Sequence, residues 1–152
     1  MKLAICAVGR AAKGPERALF EHYAARIRWP LALREVEEKR KLPPAQLTIR
    51  EGELLLEAAP AGAVLVALDR RGKVYDSQAF ARRLERWRDD STANVAFLIG
   101  GADGHTETLL AQAAFTLSFG PMTWPHLLAR VLLAEQIYRA QQVLAGHPYH
   151  RV

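Results

Sequence analysis

Short apolar segments alternate with longer amphipathic segments along this chain of 152 residues. The apolar segments span residues 3–8, 31–36, 63–68 and 95–99, and a briefer one spans residues 115–118. Apolar runs of this length are typical of buried strands in parallel sheets. The segments between them supply the helical crossovers that parallel strands require. The order predicts an α/β fold with a mostly parallel, five- to six-stranded sheet flanked by helices.

The segments between the strands carry the start and stop signals of helices. In chain order, we predict helices over residues 15–28 and 45–58, a third after residues 76–77, a short one over residues 106–114, and a last one from about 123 to 146. Asp76 and Ser77 are residue types that cap helices, and Thr123 is expected to cap the last one. Gly146 is a fitting terminator. Gly52 lies inside the second predicted helix and weakens that prediction.

Length and composition limit the class of protein. We expect one domain over residues 1–152 with its own core. No apolar run has the length of a membrane span, and the apolar start is too short for a signal peptide. The single cysteine, Cys6, excludes an internal disulfide and favours a reducing, cytoplasmic setting. Cys6 is either a nucleophile or, as is more usual in a buried strand, a small hydrophobic side chain.

The formal net charge is +5, and the basic residues lie in groups. These groups are residues 26–41, then Arg70, Arg71 and Lys73, then Arg82, Arg83, Arg86 and Arg88. A basic balance is typical of nucleic-acid-binding proteins, but charge alone is a weak indicator. RNA binding and ordinary solvated surfaces both remain open at this point.

A glycine-rich turn, residues 100–104, directly follows the strand at 95–99. Ligands of open parallel sheets bind beyond the carboxyl ends of strands, and paired glycines let the backbone approach a ligand closely. The spacing matches neither a dinucleotide fingerprint nor a P-loop. Gly100 and Gly101 are therefore candidate ligand-binding residues, the alternative being a plain strand-to-helix turn.

A second candidate loop precedes the last helix. Pro121 and Pro125 make it rigid, Met122 and Trp124 offer apolar walls, and its backbone can hydrogen-bond an adenine. The alternative is a helix entry with a hydrophobic staple. His126 follows this loop at a helix N-terminus, which disfavours its charged form. It is either a neutral proton acceptor or a structural hydrogen-bonding group.

The last helix and the tail after it are unusual in composition. The helix is apolar nearly all round, which indicates a subunit interface as well as a core. Glu135 and Arg139 stand four residues apart, in the favourable order for an ion pair. The pair is either an ordinary surface ion pair or a means of positioning Arg139 to bind a phosphate. The tail at residues 147–152 carries two imidazoles, a phenol and a guanidinium. It is either tag-like or part of an active site.

Together these segments resemble the RlmH family of SPOUT-class methyltransferases. The resemblance is carried by LIGGADG at 98–104, TWPHLLARVLLAEQIYRA at 123–140, HPYHR at 147–151 and the opening KLAICAVGR at 2–10. It implies an S-adenosylmethionine-dependent enzyme that methylates N3 of a pseudouridine in helix 69 of 23S ribosomal RNA, on the assembled ribosome. It also implies a SPOUT-type α/β-knot (a C-terminal trefoil knot), a homodimer, and no metal. The alternatives are a SPOUT enzyme for another RNA such as tRNA, and a non-catalytic ribosome-binding factor.

The resemblance implies a set of cofactor-binding residues. They are Leu68, Gly100, Gly101, Gly120, Pro121, Met122, Thr123, Trp124 and Pro125. Many members of the family carry Ser and Leu where Gly120, Pro121 and Trp124 stand here, and Pro-Glu inside the glycine turn. We therefore expect backbone atoms rather than these side chains to hold the cofactor.

The resemblance also implies that the tail of one subunit reaches the cofactor of the other. Tyr149, His150 and Arg151 would then lie near the reacting base, beside Glu135 and Arg139. We expect His150 to accept the N3 proton and Tyr149 to stack on or hydrogen-bond the base. The two arginines hold phosphate or stabilise the developing anion. The tail is expected to be ordered only beside the partner subunit.

Overall fold

The computed structural model describes the backbone of residues 1–151 and the side chains of residues 1–149. Its elements, in chain order, are β1 (Lys2–Val8), α1 (Pro15–Ala24), β2 (Leu31–Val36), α2 (Pro44–Ala58), β3 (Val64–Val74), α3 (Ser77–Asp89), β4 (Asn94–Ile99), α4 (Glu107–Gln112), β5 (Phe115–Ser118), α5 (His126–Leu144) and a final 3₁₀ turn (Pro148–Arg151).

The strands form one sheet in the order β2-β1-β4-β3-β5, and all of its ladders are parallel. The predicted α/β fold is confirmed, and the described residues contain five strands. The strand predicted at 63–68 is longer than expected, because β3 leaves the ladder after Leu68 and rejoins β5 at Lys73. A Cβ atom on Gly72 would lie 2.6 Å from the carbonyl oxygen of Thr116, so this excursion requires a glycine. The family's trefoil knot remains a prediction.

Side chains alternate between two apolar layers on opposite faces of the sheet. In β1, Leu3, Ile5 and Ala7 belong to the layer under α1, α3 and α5. Ala4 and Cys6 belong to the layer under α2 and α4. Burial raises the pKa of the Cys6 thiol to about 11, so this side chain serves as a small hydrophobic group. Both faces of the central strands are thus covered, as the continuous apolar runs predicted.

Two predicted helix ends differ from the structure by three residues or more, and the others by one or two. The first helix ends at Ala24 rather than at residue 28. The reason is Gln141 of α5, whose side chain accepts from the Arg28 amide at 2.6 Å and donates to the Arg26 carbonyl at 3.3 Å, replacing helical bonds there. The last helix begins at His126, and its N-cap position has no side-chain cap. The expectation that Thr123 caps this helix is therefore wrong.

Gly52 has a packing role in α2. It is buried, and a Cβ atom there would lie 3.2 Å from Cδ1 of Leu109 in α4. The glycine therefore lets α4 pack closely on α2, which outweighs its low helix propensity. Asp76 caps α3 as predicted, because its carboxylate accepts from the Ala79 amide at 2.6 Å.

The helix α5 packs between the sheet, α1 and α3. Eight of its residues are buried: Arg130, Val131, Leu133, Ala134, Ile137, Tyr138, Ala140 and Gln141. Three packing partners within one chain account for much of its wide apolar surface. Leu128, near its start, remains 37% exposed. Within residues 1–151, no helix combines the length and hydropathy needed to cross a membrane.

Candidate active site

A cleft of about 870 Å³ lies beyond the carboxyl ends of β3, β4 and β5. This volume is within the range of small-molecule sites. The lining residues come from four segments: Leu68, Asp69, Arg70 and Arg71; Ile99, Gly100, Gly101, Ala102, Asp103 and Gly104; Leu117, Phe119, Gly120, Met122, Thr123, Trp124 and Pro125; and His126 and Ala129. Apart from Pro121, every residue of the expected cofactor set lines this cleft.

The glycine turn after β4 forms one wall of the cleft. Gly104 donates its amide to the carbonyl oxygen of Gly101 at 3.1 Å and has a φ of 70°. A Cβ atom on Gly100 would lie 2.8 Å from the Gly104 carbonyl oxygen, and one on Gly101 would collide with the carboxylate of Glu51. At position 100 the Gly104 carbonyl leaves no room for a Cβ atom, whereas at position 101 the flexible Glu51 side chain could move aside.

Asp69 and Arg71 link the end of β3 to the glycine turn. Arg71 Nη2 lies 2.8 Å from Asp69 Oδ2 and donates to the carbonyl oxygen of His105 at 2.9 Å. The hydrogen bonds from Arg71 hold the pKa of the Asp69 carboxyl below its ordinary value, although burial opposes this. The imidazole of His105 in turn donates from Nε2 to the Leu98 carbonyl oxygen at 3.1 Å. This network fixes the position of the turn against both strands.

The loop between β5 and α5 forms the opposite wall. Gly120 has a φ of 101°, a conformation that favours glycine, and its amide donates to Ser118 Oγ at 3.1 Å. Trp124 Nε1 donates to the Phe119 carbonyl oxygen at 3.4 Å. Met122 is 72% and Trp124 43% exposed, so apolar surface remains available at the cleft.

His126 lines the cleft next to the end of β1. A Cβ atom on Gly9 would approach its Nε2 to 3.2 Å. Burial, and secondly the charge of Arg130, lower the pKa of His126, so its imidazole is neutral at pH 7. This agrees with the expectation of a neutral imidazole, and its role as a proton acceptor stays a prediction.

The predicted catalytic residues that are described lie together at the far end of α5. Arg139 Nη2 lies 2.7 Å from Glu135 Oε1, which confirms the predicted ion pair. The Tyr149 hydroxyl donates to the same carboxylate oxygen at 3.2 Å, and the Arg139 guanidinium lies 5.0 Å from the ring centre of Tyr149. Burial, and then the Glu135 charge, raise the pKa of Tyr149 to about 12, so the phenol stays protonated. The side chains of His150 and Arg151 are outside the described residues.

Within a single chain, this cluster lies away from the cleft. Nine residues separate Glu135 from His126, which corresponds to about 13 Å along an α-helix, and Arg139 lies about 6 Å further. The expectation that the tail is ordered only beside a partner stays a prediction. Tyr149 packs edge-on against Tyr138 of its own α5, with ring centres 4.9 Å apart.

The expected site omitted Asp69, Arg71 and Arg130. Arg130 is the one charged residue in the apolar segment 127–134 of α5, and that anomaly was the available signal. Its Nη2 donates to the carbonyl oxygens of Val8 and Gly9, at the end of β1. The link from Arg71 to the glycine turn has no sequence signal, since it depends on how β3 and β4 align.

The chain is similar in sequence to known proteins. A family model described as "Predicted SPOUT methyltransferase" matches residues 1–150. The chain belongs to the SPOUT methyltransferase family. It is 58% identical over 151 residues to a protein of Rhodospirillum centenum and 56% identical over 151 residues to one of Paramagnetospirillum magneticum. Both relatives are named ribosomal RNA large subunit methyltransferase H, and each alignment covers 99% of both chains.

A solved structure shares the fold of this chain. A probable methylase family protein of Haemophilus influenzae superposes with a TM-score of 0.58 at 12% identity. The match covers 97% of this chain and 69% of that one. At this identity the likeness concerns the fold alone.

Proposed function

We propose that this protein transfers a methyl group from S-adenosylmethionine to N3 of a pseudouridine in helix 69 of 23S ribosomal RNA. The observation that carries the proposal is 58% identity, over 99% of both chains, to a protein named ribosomal RNA large subunit methyltransferase H. The proposal includes one domain over residues 1–152, the C-terminal trefoil knot, and action in the cytoplasm on the assembled ribosome.

The cleft suits this cofactor. When bound, S-adenosylmethionine supplies a methyl group on a positively charged sulfur. Leu68, Leu117 and Trp124 offer apolar surface for an adenine, and Asp69 and Arg70 offer charges of both signs for an amino acid group. The turn formed around Gly100 presents backbone, because side chains there would collide with neighbours. No metal enters the proposal.

The chemistry requires removal of a proton from N3 of the base, and positioning of that base. Tyr149 remains a neutral phenol at pH 7 and can hydrogen-bond or stack on the base. Arg139 is oriented by Glu135 and favours an anion, either phosphate or the deprotonated base. The proposal assigns proton acceptance to His150 and a second positive charge to Arg151.

A homodimer with a composite site is part of the proposal. The separation of Glu135 and Arg139 from the cleft supports it, since a second copy can present this cluster to the first copy's cofactor. Apolar side chains left exposed near the start of α5 also support it; they are Met122, Trp124 and Leu128. Such side chains are typical of surfaces that a partner covers.

Methyl transfer to defined RNAs tests the function. Purified protein with methyl-labelled S-adenosylmethionine should label 23S ribosomal RNA in assembled ribosomes, and mass spectrometry should place the label in the helix 69 fragment. Label in tRNA instead would favour a tRNA enzyme. If calorimetry shows no heat of S-adenosylmethionine binding, the result would favour a non-catalytic ribosome-binding factor.

A deletion strain and tail variants complete the test. Ribosomes from a strain lacking this protein should lack the helix 69 methyl group, and a fragment that retains it would overturn the assignment. Deleting residues 149–152 should abolish transfer while cofactor affinity is kept. If His150→Ala transfers methyl at the wild-type rate with saturating RNA, the proton acceptor is another group.

A further inference from the structure

We infer that four basic side chains beside the cleft bind the phosphate backbone of the RNA substrate. This basic surface consists of Lys73 at the end of β3 and Arg82, Arg83 and Arg86 on α3. The inference rests on the proposed function, because it assigns to RNA a surface next to that site. Phosphate contacts of this kind orient a nucleic acid without reading its sequence.

The charges of the basic surface are not neutralised by the protein. Among residues 1–149, none of its four side chains forms an ion pair with a carboxylate. By contrast, Arg88 on the same helix is paired with Glu85 and Asp89. The nearby carboxylate of Asp76 is occupied by the amide of Ala79 at the start of α3.

The arrangement of the arginines is unfavourable in the absence of an anion. Arg82 and Arg86 stand four apart on α3, and both are exposed. Arg83 and Arg86 stand three apart. Like charges at these spacings repel each other and destabilise a helix slightly. A bound phosphate group would relieve that repulsion.

Aromatic rings hold one of these arginines in place. Arg83 Nη2 donates to the Tyr75 hydroxyl at 2.9 Å, and its guanidinium lies 5.1 Å from the ring centre of Phe115. The rings of Tyr75 and Phe115 are themselves stacked, with centres 5.1 Å apart. A guanidinium fixed in this way loses little freedom when it binds an anion.

The local field is positive. The hydrogen bond from Arg83 lowers the pKa of the Tyr75 hydroxyl, and the charges of Arg83, Lys73 and Arg86 lower it further despite burial. A phenol is therefore easier to ionise here than in water. The same field attracts phosphate.

The basic surface adjoins the cleft through the sheet. Lys73 is the register partner of Leu117, and Leu117 lines the cleft. Neighbouring strands lie about 5 Å apart, so Lys73 is close to a base that enters the cleft, and the Tyr75 ring joins Lys73 to Arg83. Phosphates flanking the target base are the groups within reach.

The test removes two of the charges and leaves the fold intact. The variant carries Arg82→Gln and Arg86→Gln, both at exposed positions. The control carries Arg17→Gln and Arg40→Gln, which remove two arginines that are already paired with Glu21 and Glu38. Affinity for large ribosomal subunits and for deproteinised 23S ribosomal RNA is measured across a salt series.

The variant should bind both forms of RNA about tenfold more weakly than the control, and its salt slope should be lower by roughly 1.5. Equal affinities for variant and control would overturn the inference. Weaker binding to subunits with unchanged binding to deproteinised RNA would also overturn it, in favour of an acidic ribosomal protein. Methyl transfer by the wild-type protein tests the proposed function separately, because binding requires no turnover.

Discussion

Arg130 Nη1 and Glu35 Oε2 form a 2.7 Å ion pair between an enclosed guanidinium and a partly exposed carboxylate. The Arg130 side chain is only 2% exposed and that of Glu35 23%. Arg130 also donates to the carbonyl oxygens of Val8 and Gly9, while Glu35 accepts from the Ala11 amide at 2.6 Å. One ion pair thus joins α5, β2 and the segment after β1, behind the cleft.

Replacing Arg130 by Met should lower the free energy of unfolding by about 3 kcal/mol, because Glu35 loses its charged partner inside the protein. Adding Glu35→Gln should recover part of this loss. Urea denaturation measures both effects. The control Arg17→Met breaks the exposed pair with Glu21 and should change stability by less than about 1 kcal/mol. Equal losses in the two single variants would contradict the structural role of the buried pair.

Asp69→Asn should lower the free energy of unfolding by about 1–2 kcal/mol at pH 7, because Arg71 loses its carboxylate partner. The folded-state pKa of Asp69 is depressed. Its stabilisation is therefore complete above the unfolded pKa of about 3.9 and is lost as the pH falls through the folded pKa. In urea denaturation, the free energies of unfolding of wild type and variant should converge below the folded-state pKa of Asp69.

The matched control for Asp69 is Glu107→Gln. Glu107 pairs with the same guanidinium of Arg71, but its side chain is 84% exposed. Its loss should change stability by less than about 1 kcal/mol. A larger effect from Glu107 than from Asp69 would show that burial does not decide the strength of this network.

Gly100→Ala should weaken S-adenosylmethionine binding by about tenfold or more, because the new Cβ displaces the Gly104 carbonyl and the turn with it. Calorimetry measures the affinity. Gly14→Ala is the control, since a Cβ there meets its nearest atom at an ordinary 3.6 Å. An unchanged affinity in Gly100→Ala would remove the glycine turn from the cofactor site.

Tyr75 and Tyr149 should titrate far apart in pH. Burial raises the pKa of Tyr149 to about 12, whereas the hydrogen bond from Arg83 lowers that of Tyr75. NMR of ring-labelled tyrosine, with Tyr75→Phe and Tyr149→Phe to assign the two signals, should show the Tyr75 signal shifting at lower pH than the Tyr149 signal. Early titration of Tyr149 would mean that the tail is not packed on α5 in solution.

Two inactive variants should complement each other if the site is shared between subunits. Protomers carrying Gly100→Ala lack a cofactor turn, and protomers carrying Arg139→Ala lack part of the base-binding cluster. Mixed in equal amounts and allowed to exchange, they should regain about a quarter of wild-type activity, since half of the dimers then hold one intact site of two. No recovery despite subunit exchange would place the whole site in one chain.

The central strands β1 and β4 were predictable because burial on both faces leaves an apolar run. The bounds Leu31–Val36 and Phe115–Ser118 also match the prediction to the residue, although β2 is an edge strand with three exposed residues. The second half of β3 was missed, because residues 69–73 are mostly charged and pair with β5 only after an excursion. Such an excursion is specified by tertiary contacts, including the close approach of Gly72 to Thr116.

Half of the candidate site was predictable for a similar reason. Glycines and prolines directly after strands mark loops at a known edge of the sheet, so Gly100 and Gly120 stood out. The contributions of Asp69 and Arg130 depend on partners that are distant in sequence. Asp69 is linked through Arg71 to the carbonyl oxygen of His105. Arg130 reaches Glu35 because of the way α5 packs. Local sequence does not encode those distances.

The order of the strands has a consequence for synthesis of the protein. The cleft is walled by β5 and by residues 119–125, and β5, one of the two edge strands, pairs with β3. A nascent chain that has emerged as far as residue 114 contains four of the five strands but lacks this wall. The lining of the cleft ends at Ala129, so cofactor binding can stabilise the folded form, by mass action, only after that residue has been added.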